Sequence, residues 1–267
     1  MNYKTFEADG AKVVFYGLSV FGEMDLYRTF PTVVICPGGA YKSCADDETE
    51  AVALWLNSIG LNAAVLYYSC APDAHFPVQL KQLATCVKYI KTHLSELNSR
   101  SDEVGVMGFS AGGHLAASLC TLWNNETVLG SLAKEDIRPA FQVLGYPVIS
   151  SAYGTSGSLK NLAGTDDPAL LANLSMEKSV GEHTPKTFLW TTWTDSAVNV
   201  KNTLDYATAL RKAGVNTELH IFNEGRHGLS IATREVSSEK RDLDKPDVHV
   251  WTDLFDKWIH RVTRSVV

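Results

Sequence analysis

Apolar and polar positions along this chain follow two alternating rhythms. Short strand-like runs recur: Thr32–Cys36, which is almost wholly apolar, Asn62–Tyr68, Glu103–Met107, Phe141–Tyr146, Lys186–Thr191 and Glu218–Phe222. Runs of this length without polar alternation predict strands buried on both faces, as in a parallel sheet. Between them the spacing changes to three and four. Leu80, Leu83, Val87, Ile90, Leu94 and Leu97 share one face while Lys81, Lys88 and Lys91 take others, which predicts a helix over 80–97. Further helices are predicted from Glu48 to Ile59, stopped by Gly60, after Gly112, from about Val200 to Ala213, and from Val248 to Val262. Val13–Tyr16 and the region around Leu26–Tyr27 read as an N-terminal pair of strands.

Strands alternating with helices predict an α/β fold, a mostly parallel, doubly wound sheet with helices on both faces. Between Ser150 and Thr184 the rhythm breaks into small and polar residues, which predicts a short cap inserted at roughly 150–184 into one domain spanning 1–267.

Composition narrows the classes. Hydrophobic residues make up 45% and charged residues 20% of the 267, the profile of an ordinary globular chain. A net charge of −6 argues against a nucleic-acid or anionic-membrane surface. No apolar run is long enough to span a bilayer. The first ten residues, Met1 to Gly10, lack the apolar stretch of a signal peptide, so a cytoplasmic location is expected. The five cysteines, mostly within apolar runs, are expected to be free thiols in a reducing compartment, and none has the paired spacing of a zinc site. No metal and no cofactor is expected.

The chemistry concentrates at Gly108-Phe109-Ser110-Ala111-Gly112, which follows one apolar run and opens an Ala/Leu-rich helix. Gly-x-Ser-x-Gly at a strand-to-helix turn is the sharp elbow on which serine hydrolases carry their nucleophile. Such a serine needs a histidine to take its proton and a carboxylate to fix that histidine's tautomer. On a sheet of this kind the partners follow in the order serine, acid, histidine, on loops after later strands. His227, in the Gly-flanked loop after Phe222, fits the base, and Asp195, just past the strand ending near Thr191, fits the acid. His114 lies one helical turn beyond Ser110 and is expected to pack; His75, before Phe76-Pro77, is expected to anchor a turn or line an entrance. His183, His220, His249 and His260 have no role assigned. Asp166 and Asp167 suit a turn or helix start, and Asp205 a solvent-facing helix position. An oxyanion would find one donor in the Ala111 amide at the helix N-terminus and another in the loop Pro37-Gly38-Gly39-Ala40-Tyr41.

Together these segments resemble the α/β-hydrolase superfamily. Within it they are similar to the bacterial esterase/lipase group related to hormone-sensitive-lipase-like carboxylesterases and acetyl-xylan-type esterases. The resemblance runs from Val33 to about Leu229. It implies Ser110 as nucleophile, Asp195 as triad acid, His227 as general base, and Gly39, Ala40 and Ala111 as oxyanion donors. Pro37 stands where many relatives carry the histidine of a His-Gly-Gly-Gly motif. The acid loop reads Thr191-Thr192-Trp193-Thr194-Asp195 where relatives often read His-Thr-x-Asp-Asp. Tyr41 and Trp193 are expected to contact substrate. Arg226, beside the base, is expected to be a solubilising surface residue, with recognition of an anionic or sugar-hydroxyl group as the alternative.

The expected activity is therefore that of a serine carboxylesterase on small, short-acyl esters of the acetyl type, acetylated carbohydrates among them. A peptidase or amidase needs the same three residues and stays open. A binding protein on a retired hydrolase scaffold would show a damaged triad, which this chain does not. The expected partner is a small-molecule ester, with no nucleic acid and no membrane; nothing in the sequence decides between a monomer and a homo-oligomer.

Overall fold

A computed structural model describes residues 2–23, 28–154 and 157–263. Eight strands form one sheet: β1 (Asn2–Ala8), β2 (Ala11–Gly17), β3 (Phe30–Cys36), β4 (Asn62–Tyr67), β5 (Ser99–Phe109), β6 (Phe141–Gly145), β7 (Lys186–Thr192) and β8 (Thr217–Phe222). Their order is β1-β2-β4-β3-β5-β6-β7-β8, antiparallel between β1, β2 and β4 and parallel from β4 to β8.

Every residue of β3 is buried, and its side chains divide strictly by parity. Val34 and Cys36 pack with the helices Val78–Thr92 and Ser110–Leu122; Val33 and Ile35 pack with Glu50–Ser58 and the closing helix. The sheet thus divides two apolar cores, and the second is aromatic. Trp190 stacks on Trp251 at 4.9 Å, and Phe188 meets Phe255 and Trp258 edge-on or tilted within 5.7 Å.

From β3 the chain passes to β4 on one side, then crosses back to β5 on the other. At such a reversal the loops leaving the carboxyl ends of the two strands diverge and open a crevice. The loop after β3 begins at Pro37 and the helix after β5 at Ser110, so both face that crevice.

Several elements differ from expectation. The partner of β2 is β1, an edge strand in which exposed Tyr3, Thr5 and Glu7 alternate with half-buried Lys4 and Phe6. The Leu26–Tyr27 region lies outside the described residues. The periodic stretch over 80–97 is two helices, because the backbone leaves the helical region at His93 (φ −119°, ψ 36°) and a single turn, Leu94–Leu97, follows. The closing helix is Trp251–Val262, preceded by a separate turn, Pro246–His249. The described part of 150–184 holds two short α-helices, Ser158–Ala163 and Pro168–Ala172, between single 3-10 turns; Leu159 and Leu162 of the first helix, and Leu174 and Met176 after the second, are buried. Among the described residues no helix is long and apolar enough to cross a membrane.

Candidate active site

Ser110 takes φ +53° at the junction of β5 and its helix, a left-handed conformation that costs a non-glycine residue of order 1–3 kcal/mol. The tightness of the turn explains its two flanking glycines. A Cβ on Gly108 would lie 2.1 Å from the Gly112 carbonyl oxygen, and one on Gly112 would lie 2.0 Å from the Cys36 carbonyl oxygen at the end of β3. The turn holds the hydroxyl at the wall of a cavity of about 300 Å³.

His227, on the loop after β8, brings Nε2 to 2.7 Å from Ser110 Oγ and Nδ1 to 2.7 Å from Asp195 Oδ2. A carboxylate oxygen only accepts, so Nδ1 carries the proton and Nε2 is left to accept from the serine. The other oxygen of Asp195 accepts the amides of Ala197 and Val198, each at 2.9 Å. The acid loop and the histidine loop are tied directly: Thr192 and Thr194 both donate to the Gly225 carbonyl, and Gly225 donates back to Thr194. Sequence reasoning had singled out these three residues on three separate loops; the fold joins them in one hydrogen-bonded series.

After β3, Gly39 (φ +118°), Ala40 (+57°) and Tyr41 (+59°) turn left-handed in succession. Among the described residues, no acceptor is paired with the amide of Gly39 or Ala40, and both residues line the cavity beside Ser110. Gly39 tolerates no side chain, since a Cβ would sit 2.1 Å from the Ser43 carbonyl oxygen. The loop is braced from residues 150–184 by Asn161, whose Nδ2 donates to the Ala40 carbonyl at 2.8 Å. His75 donates from Nδ1 to the Asn161 carbonyl and so anchors that brace. Ala111 occupies the first helical turn, where amides have no partner within the helix.

The two residues expected to contact substrate do not line the cavity. Tyr41 is fully buried, because its left-handed backbone sends the ring into the core, where the hydroxyl donates to His114 Nδ1 at 2.8 Å. Trp193 stands in solvent, 59% exposed. His114 has both nitrogens engaged away from Ser110, with Nε2 donating to the Leu174 carbonyl, and burial pushes its pKa down to about 4 although that carbonyl opposes the shift. Asp205 is half-buried and accepts the Tyr153 hydroxyl instead of facing solvent. Asp167 caps the helix Pro168–Ala172, and Arg226 is exposed.

Two cavity residues were not anticipated. Glu48 is buried with its carboxyl between the Gly38 amide and the Tyr146 hydroxyl. Arg241 reaches the rim, where it donates to the Gly228 carbonyl at 3.1 Å and pairs with Asp47 at 3.2 Å. Neither has a local sequence signal, since Tyr146 lies 98 residues from Glu48 and Asp47 lies 194 from Arg241.

Residues 18–157, more than half of the chain, match the BD-FAE family. The chain belongs to that family. By family and fold it is an α/β-hydrolase. It is 38% identical to a solved acetyl ester-xyloside bifunctional hydrolase from Caldicellulosiruptor lactoaceticus, covering 94% of this chain and 88% of that one at a TM-score of 0.82. A carboxylesterase from Lactobacillus plantarum WCFS1 is 25% identical and superimposes over 100% of both chains at a TM-score of 0.89. An acetylxylan esterase of Xylanibacter ruminicola is 29% identical over 86% of this chain. The chain spans between a third and a half of the length of the curated relatives it matches most fully.

Proposed function

We propose that this BD-FAE family member is a serine carboxylesterase that removes short acyl groups, acetyl above all, from carbohydrate esters of the acetylxylan type. The series Ser110–His227–Asp195, with both contacts at 2.7 Å, carries the reading. Ser110 Oγ attacks the ester carbonyl as its proton passes to His227 Nε2, and the carbonyl oxygen becomes an oxyanion facing the amides of Gly39, Ala40 and Ala111. Collapse expels the alcohol with the proton from His227 and leaves an acyl-enzyme. Water then gives its proton to His227 and attacks the acyl carbonyl, and the acid leaves as Ser110 recovers its proton. Asp195 holds the tautomer and stabilises the imidazolium throughout.

The preference for a short acyl group is supported by the lining: Ala40, Ala45, Ala197 and Val198 bound a cavity of about 300 Å³. The sugar moiety is supported by the relatives, which include an acetylxylan esterase and an acetyl ester-xyloside hydrolase. The test measures hydrolysis of p-nitrophenyl acetate, butyrate and decanoate and of acetylated xylo-oligosaccharide, with Ser110→Ala in parallel. Acetate turnover well above decanoate, acetate release from the oligosaccharide, and loss of both in Ser110→Ala are expected. Equal turnover across chain lengths would remove the short-acyl preference. Activity surviving in Ser110→Ala would overturn the mechanism.

A further inference from the structure

Glu48 lines the Ser110 cavity at 2% exposure, and none of the proposed steps uses its carboxyl. Each of its oxygens meets a donor. Oε2 accepts the Gly38 amide at 2.5 Å, and Oε1 accepts the Tyr146 hydroxyl at 2.7 Å. Gly38 opens the left-handed loop whose next two amides face the cavity. Tyr146, just past β6, sets its ring against His227 at 5.0 Å, close to perpendicular. Its hydroxyl oxygen also accepts the Ser230 amide at 2.8 Å, three residues beyond that histidine. Ser230 in turn donates its own hydroxyl to the Asp47 carbonyl, next to Glu48. One carboxyl thus touches the loops leaving β3 and β6 directly and the loop leaving β8 through a single hydroxyl. A buried charge of this kind is a poor source of stability compared with apolar packing, so its value lies in what it holds.

Resting on the esterase reading, we propose that Glu48 is the positioning residue of this site, fixing the Gly39 and Ala40 amides relative to the imidazole of His227 by holding Gly38 and Tyr146 at once. The arrangement is built for the ionised form. A proton on Oε2 would point at the Gly38 N–H and displace it; one on Oε1 would turn the Tyr146 hydroxyl from donor to acceptor, beside the Ser230 amide it already accepts, and leave its O–H without this partner. Burial pushes the Glu48 carboxyl up to about 7; Tyr146 opposes this, Asp47 adds to it, and the Gly38 amide and His227 oppose it. Arg241, at the rim of the same cavity and paired with Asp47, is the other charge nearby. Lowering the pH therefore loosens the site through Glu48.

The test compares wild type with Glu48→Gln, Tyr146→Phe and the double variant between pH 5 and 9. The readouts are aryl acetate turnover and the rate at which a fluorophosphonate labels Ser110. Misplacement of reacting groups on the ångström scale costs on the order of 100-fold in rate, so Glu48→Gln is expected to lower kcat about 10- to 100-fold with KM within about twofold. The acid limb of both logarithmic profiles is expected to be steeper in wild type, by up to one in slope, than in Glu48→Gln. Tyr146→Phe, which keeps the ring, is expected to lose a similar factor, and the double variant no more than the worse single one. Glu48→Gln labelled at the wild-type rate, or keeping the wild-type steepness of the acid limb, overturns the proposal while leaving the esterase reading intact. If Glu48→Gln does not fold, Tyr146→Phe at the wild-type rate has the same consequence. Wild type that labels but hydrolyses no ester overturns the esterase reading alone, and the labelling profiles still judge Glu48. Wild type that does not label overturns both.

Discussion

Asp195 offers one carboxylate oxygen to His227 Nδ1 at 2.7 Å while the other is held by two backbone amides, and its side chain is wholly closed to solvent. A carboxylate so held has one orientation, and it leaves the imidazole one useful tautomer. Asp195→Asn keeps the size but offers an amide N–H or a weaker acceptor, so Nε2 can be left protonated and unable to accept from Ser110. Turnover of aryl acetate is expected to fall on the order of 10⁴-fold with KM little changed. Steady-state kinetics on the folded variant check this; a loss below about tenfold would mean that Asp195 does not set the tautomer.

His114 couples stability to pH. Its pKa is pushed down to about 4 from 6.5, chiefly by burial. The unfolded chain therefore binds the proton first, so the stability contribution is full above about 6.5 and is lost as pH falls toward 4. That window is worth up to about 3 kcal/mol at 1.36 kcal/mol per pKa unit. Urea unfolding at pH 7 and pH 4.5 is expected to show a smaller pH-dependent loss in His114→Gln than in wild type. Equal losses would place the acid sensitivity elsewhere.

Gly112 tests the geometry of the elbow without touching its chemistry. A Cβ there would lie 2.0 Å from the Cys36 carbonyl oxygen, a backbone atom in the centre of the sheet that cannot move aside. Gly112→Ala is expected to fail to fold or to lose more than about 4 kcal/mol. Gly60→Ala meets nothing within 4 Å and strains only its own φ of +87°, so a smaller loss is expected. Thermal unfolding of the two variants decides the point, and equal losses would contradict it.

Arg241 occupies the cavity rim where Arg226 does not. Guanidinium donors at a rim suit the hydroxyl oxygens of a sugar. Arg241→Gln is expected to raise KM severalfold for acetylated xylo-oligosaccharide relative to aryl acetate. Parallel changes for the two substrates would show that Arg241 does not select the alcohol.

Much of the sheet was legible because the central parallel strands are buried on both faces, although the edge strand β8 is only half-buried. A run such as Val33–Cys36 carries its burial in its composition. Ser110, Asp195 and His227 could be picked out as candidates because each follows a strand, in the order serine, acid, histidine expected on such a sheet. What escaped depends on long-range partners. Glu48 reads as an ordinary helix start, and its burial is set by Tyr146, 98 residues away. Tyr41 beside a glycine pair reads as a cavity wall, yet a backbone angle of +59° sends it into the core. The strand Asn2–Ala8 escaped because an edge strand with one wet face carries little apolar signal.

The hydrogen bond from Asn161 to the Ala40 carbonyl has an evolutionary consequence. The segment that puts Ser158 in the cavity wall also splints the loop proposed to stabilise the transition state, so selectivity and speed would share a mechanical part. Lineages that diversify this segment to accept new esters must retain an amide donor at that point or rebuild the loop. Chimaeras that graft the segment from a relative will inherit both properties together or neither.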